Sequence, residues 1–318
     1  MKNVPRKFKR GILTHCYQNT IDGFLIFYTV SDYLVFFTRL CVTAEKYDII
    51  IVALCIMPDH FHAGTLSQNK RALSGFWCET LSLNTKHNNS VCHRKGHLFN
   101  RRFGSSLKRE GKAARSNIIY IGNNPVERRL VDKAEQYRWN FLAYAESDHP
   151  FSEKLVIRKA SAKMKKCIKE VEGTHKMGKP LSYNTLQRMF KSLEQKESLQ
   201  LIDFIVVTYS VIDYSFTKKL FGSFSDAVKA MHNNTGSEYE IKESFVGRSD
   251  THYATITKYL LNKLKISDIH DIFLLSEDKR IDLFFDIYST FEIPPKQIAK
   301  FLRLKEDSIP VFRKVVGH

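Results

Sequence analysis

A chain of 318 residues is long enough to bury a sizeable core and to hold two domains. Its formal net charge of +17 favours a polyanion, nucleic acid before an anionic membrane, since no uninterrupted apolar run of about 18 residues is present. No secretory signal follows the basic N-terminus, and the six scattered cysteines form no CxxC pair, which points to a reduced, cytoplasmic (nucleoid-associated) protein rather than a zinc ribbon or disulfide scaffold.

Residues 1–11 carry Lys2, Arg6, Lys7, Lys9 and Arg10, either a solvated tail or an arm for phosphates. Residues 12–28 read as a strand, a polar turn and a short apolar segment, with His15 in that strand as either a packed or edge histidine or one that approaches the active site. Residues 30–46 have apolar positions at helical spacing and Ser31 as the expected N-cap, giving a first crossover helix.

The apolar run from Ile50 to Met57 is β-branched at its start and bounded by Pro58 and Asp59, so it reads as a buried strand running into His60, Phe61 and His62. Alternation along a strand makes His60 and His62 project together and sends Phe61 the other way. Two imidazoles held side by side are half of a divalent metal site. Residues 68–88 read as a second helix whose stripe of Leu73, Phe76, Trp77 and Leu81 faces the core. The order of elements predicts a ferredoxin-like α+β palm, a sheet with helices on one face.

Residues 93–115 are the most basic part of the first half. Arg101, Arg102, Lys108, Arg109 and Arg115 are interleaved there with Phe99 and Phe103, which reads either as an ordinary charged hairpin or as a composition that tracks a nucleic-acid backbone while stacking bases. Further on, Tyr120 and Asn124 are four residues apart, which puts both on one face of a helix ending near Pro125. Trp139 and Tyr144 close a domain spanning residues 1–150. Residues 151–318 read as a mostly α-helical accessory domain that opens on a basic helix between Lys154 and Lys179. Near its end, residues 293–316 have a helix-turn-helix pattern. Gln297, Ile298, Ala299, Phe301 and Leu302 form its first helix, Leu304 to Asp307 its turn, and Ser308 with Pro310 starts the second; it is either a base reader or a plain helical hairpin.

Two of these stretches carry a resemblance. Met57-Pro58-Asp59-His60-Phe61-His62, followed by Tyr120-Ile121 and Asn124-Pro125-Val126, resembles the single-tyrosine HUH transposases, and within them the REP-associated tyrosine transposase branch. Tyr137, Arg138, Trp139 and Asn140, with Tyr144 beyond, continue the likeness, which fades after residue 150. The resemblance implies a ferredoxin/RRM-like palm and Mg²⁺ or Mn²⁺ held by His60, His62 and Asn124. It implies that Tyr120 attacks single-stranded, hairpin-bearing DNA to give a 5′-phosphotyrosine link, which another 3′-hydroxyl later reverses, and it is compatible with a homodimer. It also places the basic stretch from residue 93 beside the active site.

The chemistry suits these residues. A phenolate leaves more readily than an alkoxide, which keeps the covalent step reversible, and an amide oxygen is a hard ligand for Mg²⁺ or Mn²⁺. Asp59 either orients a ligand or is a turn residue. The chain departs from the family where Gly122-Asn123 replaces His-Leu. Glycine inside a helix costs about 1 kcal/mol relative to alanine, so a short or flexible tyrosine helix is expected. Ala63-Gly64-Thr65 likewise makes a weaker strand after His62. The other function these residues allow is a domesticated, non-catalytic DNA-binding protein that keeps the fold and the basic surface.

Overall fold

The N-terminal part of the chain folds around one antiparallel sheet. The computed structural model describes residues 7–100, 102–109, 111–233 and 250–309. Its opening elements are β1 (Thr14–Asn19), α1 (Val30–Lys46), β2 (Ile50–Ile56), β3 (His60–Leu66), α2 (Lys70–Val91) and β4 (Gly104–Leu107). The strand order is β2-β3-β1-β4 with every neighbour antiparallel, the βαββαβ arrangement of a ferredoxin-like α+β palm.

The apolar run and the histidine triplet are not one strand, as the sequence suggested. Pro58 cannot donate to a ladder and aspartate favours turns. The chain therefore reverses there, closed by a 2.9 Å bond from Met57 N to His60 O. β2 and β3 form a hairpin in which Cys55 pairs with His62 and Ile56 with Phe61. The N-cap of α1 is Thr29 rather than Ser31. Thr29 accepts from Asp32 N, and Asp32 Oδ2 accepts from Thr29 N at 2.8 Å, a reciprocal box that satisfies two end donors. Asn69 caps α2 by accepting from Ala72 N.

α1 and α2 cover one face of the sheet. Phe61 points into that layer, its ring 5.1 Å from Phe36 and 5.1 Å from Trp77. Burial of such side chains, worth about 1.5–3 kcal/mol each, fixes the register of β3, since a one-residue slip would bury the histidines there instead. The helix α3 (Gly111–Glu127) lies on the opposite face. It runs unbroken through Gly122, so the expected short helix is not found. A Cβ on Gly122 would stand 2.6 Å from Met231 Sδ, so the glycine is where the next layer comes close.

Beyond residue 150, α5 (Tyr183–Ser192) and α6 (Gln195–Tyr209) pack on α1, and α4 (Ala162–Lys176) packs on α6. Met164, Ile168, Leu186 and Ile205 share a core with Phe36 and Phe61, so buried packing continues across residue 150. The basic helix expected over residues 154–179 is α4, capped by Ser161. α7 (Tyr214–Phe221) and α8 (Phe224–His232) lie against α3. A second core joins α9 (Asp250–Leu264), α10 (Glu277–Thr290) and α11 (Pro295–Leu302) around Phe284, Ile298 and Phe301, and takes in Leu25. α11 is the first helix of the expected helix-turn-helix. A short 3₁₀ turn follows at Glu306–Ser308 and takes in Ser308, the expected start of the second helix, while Pro310 and the rest of that expected helix lie outside the described residues. Among the described residues no helix is long and apolar enough to cross a membrane.

Candidate active site

Strand alternation brings His60 and His62 out together on the face under α3, with ring centroids 5.0 Å apart. β1 lies beside β3 with Asn19 opposite His60 and Tyr17 opposite His62. His15, two residues before Tyr17, shares that face, and its Nε2 is 3.1 Å from His62 Nδ1. Across the sheet, α3 lowers Tyr120 onto the histidines. Its ring stands edge-on at 5.2 Å from His62 and 5.6 Å from His15. Tyr120 is 3% exposed.

Asn124 follows one helical turn later, 2% exposed, and its Oδ1 has no hydrogen-bond partner among the described residues. A buried amide oxygen left unsatisfied costs about 1–3 kcal/mol, which a ligand at that atom would offset. No three His, Cys, Asp or Glu side chains among the described residues are arranged to hold a metal. The Asn124 amide is therefore the donor that fits with the two imidazoles, and the mixed N/O set suits a divalent cation.

The electrostatics favour ligation. Burial, reinforced by His60, His15 and Arg128, pushes His62 well below its ordinary range. Burial with Lys108 nearby pushes His15 down to about 3. Both are thus neutral at neutral pH, the form that binds a metal. His60 Nδ1 is 2.5 Å from Asp59 Oδ1, so ligation by His60 would be through Nε2. Burial opposes the Asp59 charge, but His60, Lys300 and Arg128 hold its carboxyl well below the usual carboxylate range. Asp59 therefore sits in the turn and also orients His60.

Of the residues expected to meet DNA, Arg102, Arg109 and Arg115 are exposed, and Lys108 is half-buried. Arg101 lies outside the described residues, as do Lys2 and Arg6 of the N-terminal arm. Phe99 and Phe103 are not surface rings. Both are buried in the layer under α1 and α2, Phe99 6.3 Å from Phe61 and Phe103 5.8 Å from Trp77. Packing against the core leaves them no face for a base. The exposed ring at the site is one that no sequence motif singles out, Tyr17. It is 39% exposed, 6.2 Å from His62, and lies over Gly104, whose Cβ would fall 2.1 Å from Tyr17 Cζ. The available signal is the alternation of His15, Tyr17 and Asn19 in β1, which acquires meaning only once β1 is paired with β3.

No family model matches this chain, and no curated protein does. Among solved structures it is similar to a REP-associated tyrosine transposase bound to a REP hairpin, at 20% identity and a TM-score of 0.40. That match covers 46% of this chain and 87% of the other. What the site does has to come from its own residues.

Proposed function

We propose that the protein is a metal-dependent, single-stranded DNA endonuclease and strand transferase of the transposase type, acting on hairpin-bearing DNA. The observation that carries this reading is the meeting of Tyr120, His60 and His62 under one helix that also supplies the unsatisfied Oδ1 of Asn124. The Tyr120 oxygen attacks a backbone phosphorus. The new bond is Oη–P, the bond broken is P–O3′, and the departing 3′-oxygen takes up a proton. Neutral His15 flanks the Tyr120 ring and, not being among the metal ligands, is able to accept the phenolic proton. A Mg²⁺ or Mn²⁺ ion on His60, His62 and Asn124 would neutralise the charge that develops on the non-bridging oxygens. Attack by another 3′-hydroxyl on the phosphotyrosine reverses these bond changes and joins the strands.

Substrate preference follows from burial and charge. A hydroxyl as enclosed as that of Tyr120 suits a flexible single strand better than a stiff duplex. Arg102, Arg109 and Arg115 offer exposed charge for the backbone, with the salt dependence that implies, and Tyr17 offers a ring for one base.

The test uses a labelled single-stranded hairpin oligonucleotide from sequence flanking the gene, incubated with Mg²⁺ or Mn²⁺ and run on a denaturing protein gel. A metal-dependent covalent adduct is expected, and Tyr120→Phe should abolish it. Tight binding with no adduct, unchanged by Tyr120→Phe and His60→Ala, would replace this reading with that of a non-catalytic DNA-binding protein.

A further inference from the structure

Asp59 joins two parts of the chain that are distant in sequence. Its Oδ1 faces His60 Nδ1 at 2.5 Å, and its Oδ2 accepts from Lys300 Nζ, with Arg128 Nη1 3.8 Å from the same oxygen. Lys300 belongs to α11, and the end of α11 is fastened beside the site. Arg303 donates to Leu25 O at 2.9 Å, to Tyr28 Oη at 3.1 Å and to Asn88 Oδ1 at 3.2 Å. Ile26 N and Phe27 N in turn donate to Pro58 O, at 2.8 and 3.2 Å. The end of α11, residues 25–28 and the Pro58–Asp59 turn are therefore one connected unit. The side chains of Lys300 and Asp59 are 18% and 11% exposed, so solvent and salt screen their attraction weakly.

We propose that Lys300 is a positioning residue of the active site: by holding Oδ2 of Asp59 it turns Oδ1 onto His60 and fixes that imidazole for metal ligation. This rests on the reading of His60, His62 and Asn124 as a divalent-metal site. A histidine oriented by a carboxylate is held only as firmly as the carboxylate itself. Without Lys300, Oδ2 has Arg128 at longer range, and the carboxylate gains freedom to turn away from the ring. The helix that reads in the sequence as half of a base reader or of a plain helical hairpin thus also supports the metal site of His60, His62 and Asn124. The segment after residue 250 is then part of the catalytic unit, not an appendage.

The experiment measures Mn²⁺ affinity of the full-length protein without DNA, by electron paramagnetic resonance of the free ion. Lys300→Met should raise the dissociation constant about 10- to 100-fold, the usual effect of losing an outer-shell partner. Lys300→Arg should restore most of the affinity. Lys296→Met, which removes an exposed charge from the same helix, should leave it unchanged. In an Asp59→Asn background Lys300→Met should add nothing further, because its effect passes through Asp59. Melting transitions of each variant identify any loosening of α11, and the Asp59→Asn background separates such loosening from an effect carried by the carboxylate. Wild-type affinity in Lys300→Met overturns the proposal, as does an effect of equal size in the Asp59→Asn background. A wild-type protein that takes up no Mn²⁺ overturns the metal reading itself, and this proposal with it.

Discussion

Two sites of buried histidine, one under α3 and one at the start of α1, have nearly the same exposure but differ in charge, neutral at the first and positive at the second. His15 and His62 are 2% and 1% exposed, and His270 is 1% exposed. Under α3, imidazoles meet each other and nearby cations, so burial prevails and the rings stay neutral. His270 instead has Asp32 Oδ2 3.2 Å from Nε2 and Asp268 Oδ1 2.7 Å from Nδ1. Burial alone would push His270 down, but the two carboxylates outweigh it and raise it to about 11. Asp32 also accepts from Tyr28 N and Thr29 N at the head of α1, so the charged pair fastens the segment after residue 250 to the palm. Burial sets how much the protonation state matters; the charge of the neighbours decides whether the ring stays neutral or becomes a charged fastening.

The largest effect should come from breaking the fastening. Asp32→Ala leaves a buried imidazolium with Asp268 alone and removes an α1 cap, and should cost about 3–5 kcal/mol, read as a fall in the urea midpoint. Next is a contrast in metal response. Mn²⁺ at about 100 times its dissociation constant should stabilise the wild type and His270→Gln alike by about 2.7 kcal/mol, and His60→Ala or Asn124→Leu not at all. Equal shifts in all four melting curves would erase the distinction between the clusters. Smaller again is the pH response. The His270 pKa is raised on folding, so its stabilisation is complete below about pH 6.5 and is lost as pH rises through about 11. Urea unfolding should weaken between about pH 6.5 and about 11 by up to about 1.4 kcal/mol per unit, and His270→Gln should flatten that limb.

What the sequence shows and what it hides divide by range. Alternation places His60 and His62 on one face and Phe61 on the other, and helical spacing places Tyr120 with Asn124, because both patterns are local. Pro58–Asp59 is visible as turn chemistry, but the same two residues suit the margin of a single strand as well as the tip of a hairpin. The partnership of His15 with His62 needs the register of β1 on β3, which no local pattern encodes. Lys300 reaches Asp59 from 241 residues away, and nothing in the spacing of either residue announces the other. Phe99 and Phe103 mislead for a related reason: aromatics among basic residues suit both a core strand edge and a nucleic-acid surface, and only tertiary packing separates the two.

Gly122 gives the finest test of the comparison, since it acts on one cluster alone. Alanine has the better helix propensity by about 1 kcal/mol. Its Cβ, however, would stand 2.6 Å from Met231 Sδ and 3.4 Å from Leu142 Cδ1, so α8 must shift or the thioether must find another rotamer. Overpacking of this kind costs about 1–3 kcal/mol, against the gain in propensity. Gly122→Ala should therefore destabilise by about 1 kcal/mol. Because Gly122 lies between Tyr120 and Asn124 on α3, the same strain should weaken Mn²⁺ binding and adduct formation by a few-fold. The alkaline limb governed by His270 should not move. If Gly122→Ala were stabilising and left adduct formation intact, Met231 would have yielded, and the placement of Tyr120 and Asn124 would owe nothing to the packing of α8 on that helix.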